Sequence, residues 1–317
     1  MTLSAIALLA AAVAIGAEQP ASGPGGQRAA RAASAPAAAR PLLDDIEPYV
    51  ETRQAGRIDW TSGQLVTQGT GKARGSSGNA VSDARLAARQ EAARRASTIM
   101  EDIPLDPDGG KADMHTVGPR IERAAGNLKE SAIEYDPVGG TVSVTFRAPL
   151  YGPEGLINGF QPAPRASRRW SPPALPGAAD QNRQVQTVVI DARATKFRPV
   201  VFPSIESPRG ETVFDAGDLP KGQLSRRPMV TYAKLRPQAG KLDRQAAEQP
   251  GMVLLKPSST KGKADGSLVL SEDDLRKLAD NPDARRVMQE GKAVVLLAPP
   301  GPAAEKGQGA EGKNDQR

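Results

Sequence analysis

Three carboxylates, Asp191, Glu206 and Asp215, punctuate the stretch "VVIDARATKFRPVVFPSIESPRGETVFD" at 188–215. Carboxylates held in pairs across a cleft perform glycoside hydrolysis as acid and base or nucleophile. Their surroundings argue for a humbler role. Asp191 directly follows an apolar run and Asp215 precedes "AGDLPKG", positions where acidic side chains cap turns. Aromatic residues, which form sugar platforms, make up only 3% of the chain. The single histidine, His115, has no nucleophile motif beside it and reads as a loop or helix-start residue. With no Cys there is no thiolate metal site, cysteine nucleophile, disulfide or lipidated cysteine, and one His excludes a two-histidine metal site within one chain. The glycines of "QGTGKARG" at 68–75 miss the P-loop spacing. No catalytic, cofactor-binding or metal residues are therefore expected, and the chain reads as a non-enzyme.

Guanidinium groups are the stronger candidates. Projected on a helix, Arg85 and Arg89 fall inside the apolar arc of "DARLAARQEAARRASTIMEDI", so each needs a carboxylate such as Asp59 or Asp136, or a bound anion. Arg168, Arg169 and Trp170 stand before two prolines in "APRASRRWSPPALPG", where they form either an exposed linker or a contact for a partner or polyanion. The 42 basic and 36 acidic residues are interspersed along the chain, and few aromatics accompany them, a pattern unlike that of nucleic-acid binders.

The elements that must carry these residues form two small α+β domains, each an antiparallel or mixed sheet covered by helices, with disordered linkers and tails. The first, 44–150, follows the order ββααββ. In "GRIDWTSGQLVTQGTGKA" Ile58 and Trp60 alternate with polar residues, and Leu65, Thr67, Gly69, Gly71 and Ala73 share one strand face, small enough for a helix to lie close. Ser82 is placed to cap that helix. Its stripe is Ala88, Ala92, Ala96, Ile99 and Ile103, widened by Leu86, Ala93 and Met100. A second helix covers 114–130, and "SAIEYDPVGGTVSVTFRAPL" closes the domain as a hairpin. A Pro- and Arg-rich linker spans 151–184. The second domain, 185–298, ends in two helices, the first starting at Ser271 with Asp274 in a capping-box arrangement and the second capped by Asn281 ahead of Pro282, and then an apolar strand. A tail fills 299–317.

The start of the chain reads as an export signal. "AIALLAAAVAIGA" at 5–17 has the length of a signal h-region, too short for a comfortable membrane span, and ends in a small-x-small site, although no Lys or Arg precedes it. An Ala/Gly/Pro/Arg linker follows over 18–43. The expected location is periplasm or cell envelope, with no stable membrane span after cleavage.

The pattern of residues 63–105, "GxLVxxGxG" followed by "ARLAARQEAARRA", with a closing hairpin near 140–148, resembles the LPP-type surface lipoproteins and the N-terminal domain of flagellar assembly protein T. The second domain, with "VVIDAR", "FRPVVFPSI" and "LVLSEDDLRKL…VVLL", resembles a segment that follows such a domain in exported bacterial proteins. The resemblance implies an envelope location, a surface or motility role and no catalytic residues. The chain departs from the lipoprotein members in having no cysteine to lipidate. The expected function is a structural or interaction component of the envelope. The alternative is a module that binds an anionic envelope polymer or ligand through Arg-rich surfaces. The expected partners are an envelope protein or an anionic polymer, with no nucleic acid; the sequence sets no oligomeric state.

Overall fold

The computed structural model describes residues 42–75, 78–127, 132–158, 160, 167–173, 185–220, 222–223, 226–236, 242, 249 and 251–300. All of them fall within one compact unit, Ala39–Arg317. The signal-like segment, most of the 18–43 linker and the tail beyond residue 300 lie outside the described residues. The chain is α+β, with three sheets and four helices among the described residues.

The first strand, β1 (Ile46–Pro48), turns away from its neighbours in sequence. The next two, β2 (Val50–Arg53) and β3 (Gly56–Asp59), form a tight hairpin and continue antiparallel into β4 (Gln64–Lys72). Helices α1 (Gly78–Asp102) and α2 (Met114–Gly126) follow, and the hairpin β5 (Ile133–Asp136) with β6 (Thr141–Pro149) completes an antiparallel sheet of order β2-β3-β4-β6-β5. In β4 Leu65, Thr67, Gly69 and Gly71 are buried and their neighbours are not, the alternation of a strand covered on one face. The cover is α1, whose Ala84, Ala88, Ala92 and Ala96 are all buried. A Cβ on Gly69 would sit 2.1 Å from the Ala88 carbonyl oxygen, and one on Gly71 2.0 Å from that of Ala84. The two glycines therefore set the helix–sheet distance, and Thr67 pins it with a hydrogen bond from Oγ1 to the Ala92 carbonyl at 2.7 Å.

Helix α1 starts at Gly78, ahead of the expected Ser82, because no proline interrupts the preceding residues and Ser82 is simply an exposed residue of an early turn. Leu86 does not widen the apolar stripe; it is 56% exposed. Arg94 and Arg95 lie toward solvent, where hydrogen bonds from Arg94 and then Arg95 lower the Glu91 carboxyl pKa to about 2. The opening of the expected 151–184 linker is packed, with Leu156 and Ile157 buried and tied to β6 and its end by Leu156 N–Pro149 O and Ile157 N–Leu150 O bonds.

The larger sheet of the second half is mixed. It takes β7 (Thr187–Asp191), β10 (Thr231–Leu235), β11 (Met252–Leu255) and β14 (Ala293–Leu296) in parallel, and β1 joins antiparallel to β10, giving the order β1-β10-β14-β7-β11. Ile46–Pro48, expected within the first domain, is thus the edge strand of the second sheet. A smaller sheet of order β12-β13-β8-β9 is built from β8 (Ser204–Glu206), β9 (Thr212–Phe214), β12 (Ser259–Lys261) and β13 (Ser267–Val269). Helices α3 (Glu272–Asp280) and α4 (Pro282–Gln289) lead into β14.

Ser271 caps α3 by accepting from Asp274 N at 3.1 Å, but the reciprocal half of the capping box is absent: the buried Asp274 carboxylate takes Lys256 N at 2.9 Å and Lys277 Nζ at 2.7 Å. Asn281 makes no side-chain cap on α4, because its amide donates backward to the Lys277 carbonyl at 2.8 Å.

Tyr232, wholly buried on β10, joins the two large sheets. Its ring meets Trp60 edge-on at 5.8 Å and Phe197 at 6.0 Å, its hydroxyl donates to the Val200 carbonyl at 2.8 Å, and its own carbonyl accepts from Thr61 Oγ1. The connection after α1 is the second joint. Pro104 O and Leu105 O accept from Val201 N and Phe202 N, and Pro107 O accepts from Ala264 N. One continuous apolar core runs through both halves, while a small second cluster of Val189, Ala233, Leu242, Val294 and Leu296 covers the opposite face of the mixed sheet.

Candidate functional site

The three carboxylates singled out in the sequence are each held by a different cation. Asp191 receives Arg193 as a fork, Nε to Oδ1 at 2.7 Å and Nη2 to Oδ2 at 2.9 Å. Glu206, on β8, accepts from the buried Ser267 hydroxyl at 2.8 Å and lies 3.6 Å from Lys261 Nζ. Asp215 caps the short turn at Ala216–Asp218 through Gly217 N and takes Arg169 Nη2 at 2.9 Å. His115 stands exposed in the first turn of α2, its backbone N–H donating to the Asp113 cap.

Arg168, Arg169 and Trp170 do not form a free recognition segment. Arg168 and Trp170 exchange backbone hydrogen bonds with Thr212, so the segment lies along β9 as a parallel addition. The Arg169 guanidinium closes on both Asp215 and Asp218, at 2.9 and 2.7 Å, and the half-buried Trp170 packs onto the core. Arg168 alone stays largely in solvent, 3.6 Å from Glu211. Solvent reaches the Arg169 side chain, 45% exposed, so its ion pairs are screened. Arg169→Ala is expected to cost about 1 kcal/mol in urea denaturation and to shift Trp170 fluorescence toward the red. A variant with unchanged emission would show that the backbone bonds alone hold the segment.

Arg85 and Arg89 are half-buried on α1 beside the alanine stripe. The Nε of Arg89 is buried without a hydrogen bond among the described residues. The carboxylates expected to meet these arginines work locally instead: Asp59 accepts from Thr61 N and Ser62 N, and Asp136 from Val138 N.

A basic cleft of about 830 Å³ lies elsewhere, and nothing in the sequence pointed to it. It is lined by the run Tyr49, Val50, Glu51, Thr52 and Arg53, by Asp102 at the end of α1, by Pro104, Gly109 and Lys111 from the α1–α2 connection, and by Arg198, Pro199, Lys263, Ala264 and Pro300. Backbone bonds from Val201 N to Pro104 O and from Ala264 N to Pro107 O tie the α1–α2 connection to the segments that carry Arg198 and Lys263.

Four cations, Arg53, Lys111, Arg198 and Lys263, face two carboxylates, Glu51 and Asp102. Glu51 is already engaged, accepting from Arg53 Nε and from the Trp60 indole, both at 2.9 Å. Among the described residues Lys111 donates only to a backbone oxygen, that of Asp102, at 3.1 Å. Among the described residues neither Arg198 nor Lys263 has an ion-pair partner. Burial pushes the Tyr49 phenol above its ordinary value, the Glu51 charge adds to this, and Arg198 pulls it back. Tyr49 is thus a neutral hydroxyl within reach of the Arg198 field. The cleft offers positive charge and hydrogen-bond donors to an anion. Among the described residues no group of three or more His, Cys, Asp or Glu is placed to hold a metal.

The cations come from positions spread over 53 to 263, so no local spacing marks them. Residues 187–299 match the family model described as Treponema pallidum Tp0624, second domain. The matched span runs from β7 to just past β14 and includes Arg198 and Lys263 but not β2. No curated protein matches the chain.

Proposed function

We propose that the protein is a non-catalytic, exported component of the cell envelope that engages an anionic partner in the basic cleft. The observation that carries the binding part is the set of cations around the cleft, of which Lys111, Arg198 and Lys263 form no ion pair among the described residues. Unneutralised cations gathered in a concave surface raise the local concentration of anions and steer them in. The export part rests on the signal-like residues 5–17, and the resemblance of 63–105 and 140–148 to LPP-type and flagellar assembly protein T domains supports an envelope setting. Among the described residues no helix is long and apolar enough to cross a membrane.

Two measurements test this. The mature protein should fractionate with periplasm or envelope; an unprocessed chain recovered from the cytosol overturns the location. Binding of the full chain to fluorescent polyglutamate should weaken with added salt and fall about tenfold in the Arg198→Ala/Lys263→Ala variant. Equal binding by that variant overturns the cleft as the site.

A further inference from the structure

The cleft is lined by five consecutive residues, Tyr49 to Arg53. Strand side chains alternate between faces, so a cleft over one face of a sheet would meet every second residue. Contact with all five means that the cleft runs along the free edge of β2, which is the outermost strand of its sheet.

The register shows what that edge presents. Trp60 N donates to Tyr49 O, and the β2–β3 ladder pairs Val50 with Asp59, Glu51 with Ile58 and Thr52 with Arg57. In an antiparallel ladder hydrogen-bonded and non-hydrogen-bonded pairs alternate. Tyr49, Glu51 and Arg53 therefore direct their backbone groups inward to β3, and Val50 and Thr52 direct theirs outward. Among the described residues no group accepts from or donates to Val50 or Thr52 on that outer side. An open edge beside a wall carrying Lys111, Arg198 and Lys263 is a template for one more strand, of opposite charge.

We infer that the cleft binds an extended acidic peptide segment of a partner protein by strand addition to β2. The peptide backbone bonds to Val50 and Thr52, and its carboxylates meet Arg53, Lys111, Arg198 and Lys263. This deepens the proposed anion-binding reading and rests on it. An anionic polysaccharide would satisfy the cations but leave the backbone groups of Val50 and Thr52 unused.

The test uses the full chain and three probes: a short blocked peptide alternating Glu and Val, the same peptide N-methylated at alternate amides, and dextran sulfate. The plain peptide should bind with salt-sensitive affinity, and N-methylation on the strand-pairing edge should weaken it at least about tenfold through lost backbone bonds. Thr52→Pro removes only an outward N–H at an edge position that tolerates proline, so it should leave the circular dichroism spectrum intact and weaken the peptide about as much. Equal binding of plain and methylated peptides, with dextran sulfate competing, overturns strand addition while leaving the anionic cleft standing. Binding of none of the three overturns both. The plain and methylated peptides are compared on the parent protein, so that comparison does not depend on whether Thr52→Pro folds. A β2-dependent dimer without peptide binding would assign the edge to self-pairing and overturn the inference.

Discussion

Replacing Gly71 with alanine should cost about 3 kcal/mol or more, because the added Cβ would lie 2.0 Å from the Ala84 carbonyl oxygen. A flexible side chain could swing away; a helical carbonyl cannot move without lifting α1 from the sheet. Lifting the helix would loosen the Ala84–Ala96 stripe and stretch the Thr67–Ala92 bond. Gly69→Ala meets the same obstacle in Ala88 and Ala92, and the double variant should accumulate little folded protein, given a total stability of about 5–15 kcal/mol. Gly126→Ala is the control: the site is helical, has no atom within 4 Å of the new Cβ and should be stabilised by about 0.5–1 kcal/mol. Urea denaturation followed by circular dichroism reads all four variants. A Gly71→Ala protein within about 0.5 kcal/mol of the parent would mean that the helix does not rest on the strand.

The second large effect is expected at Tyr232. Tyr232→Ala should cost about 3–5 kcal/mol, as it removes a fully buried ring lying against Trp60 and Phe197. Because Trp60 directly follows β3 of the antiparallel sheet and Tyr232 lies in the mixed one, both sheets should lose protection together in hydrogen exchange. Loss confined to β10, β14 and β7 would show that the halves are energetically independent. Tyr232→Phe keeps the ring and drops the bond to Val200 O, for about 1 kcal/mol. Burial pushes the Tyr232 phenol well above its ordinary value, the neighbouring Tyr151 adds to this and the Val200 backbone bond opposes it; Tyr151 is itself raised by burial. A phenol raised by folding contributes stability that is complete below the unfolded value of about 10 and is lost as pH climbs toward the folded one. The parent should therefore destabilise steeply above about pH 10, and Tyr232→Phe should soften that dependence. A pH-independent stability between neutral and strongly alkaline conditions would contradict the burial of these phenols.

The helix-on-sheet half was largely legible because its signals are local. Glycine and alanine at strand and helix periods, a Ser-Gly turn and a Gly-Gly hairpin each announce one element. Leu86 misled because periodicity alone gives an arc and not its edges. Asn281 misled because its amide had a nearer carbonyl in the preceding helix. What escaped the sequence is long-range. Ile46–Pro48 pairs with a strand near residue 233, Arg169 reaches Asp215 and Asp218 across the chain, and the cleft gathers residues 53, 111, 198 and 263. None of these partners is coded by a spacing, and an arginine looks the same in one-letter code whether it is clasped or open. The Asp191–Arg193 fork is of the other kind, a contact between near neighbours at a strand end.

The strand order also sets a timetable for the chain's maturation. The last strand among the described residues, Ala293–Leu296, lies in the middle of the mixed sheet, between Thr231–Leu235 and Thr187–Asp191, while the first, Ile46–Pro48, waits at the far edge. Each inner neighbour has a second partner, β1 for the one and β11 for the other, but neither can bond to Ala293–Leu296 until that strand has been made, and contacts so distant in sequence form slowly. The middle of the mixed sheet therefore stays open until residues 46 to 296 have all been made, although the antiparallel sheet is complete in sequence by Pro149. On the export reading, that delay leaves an interval in which the strands of the mixed sheet can still be threaded across a membrane.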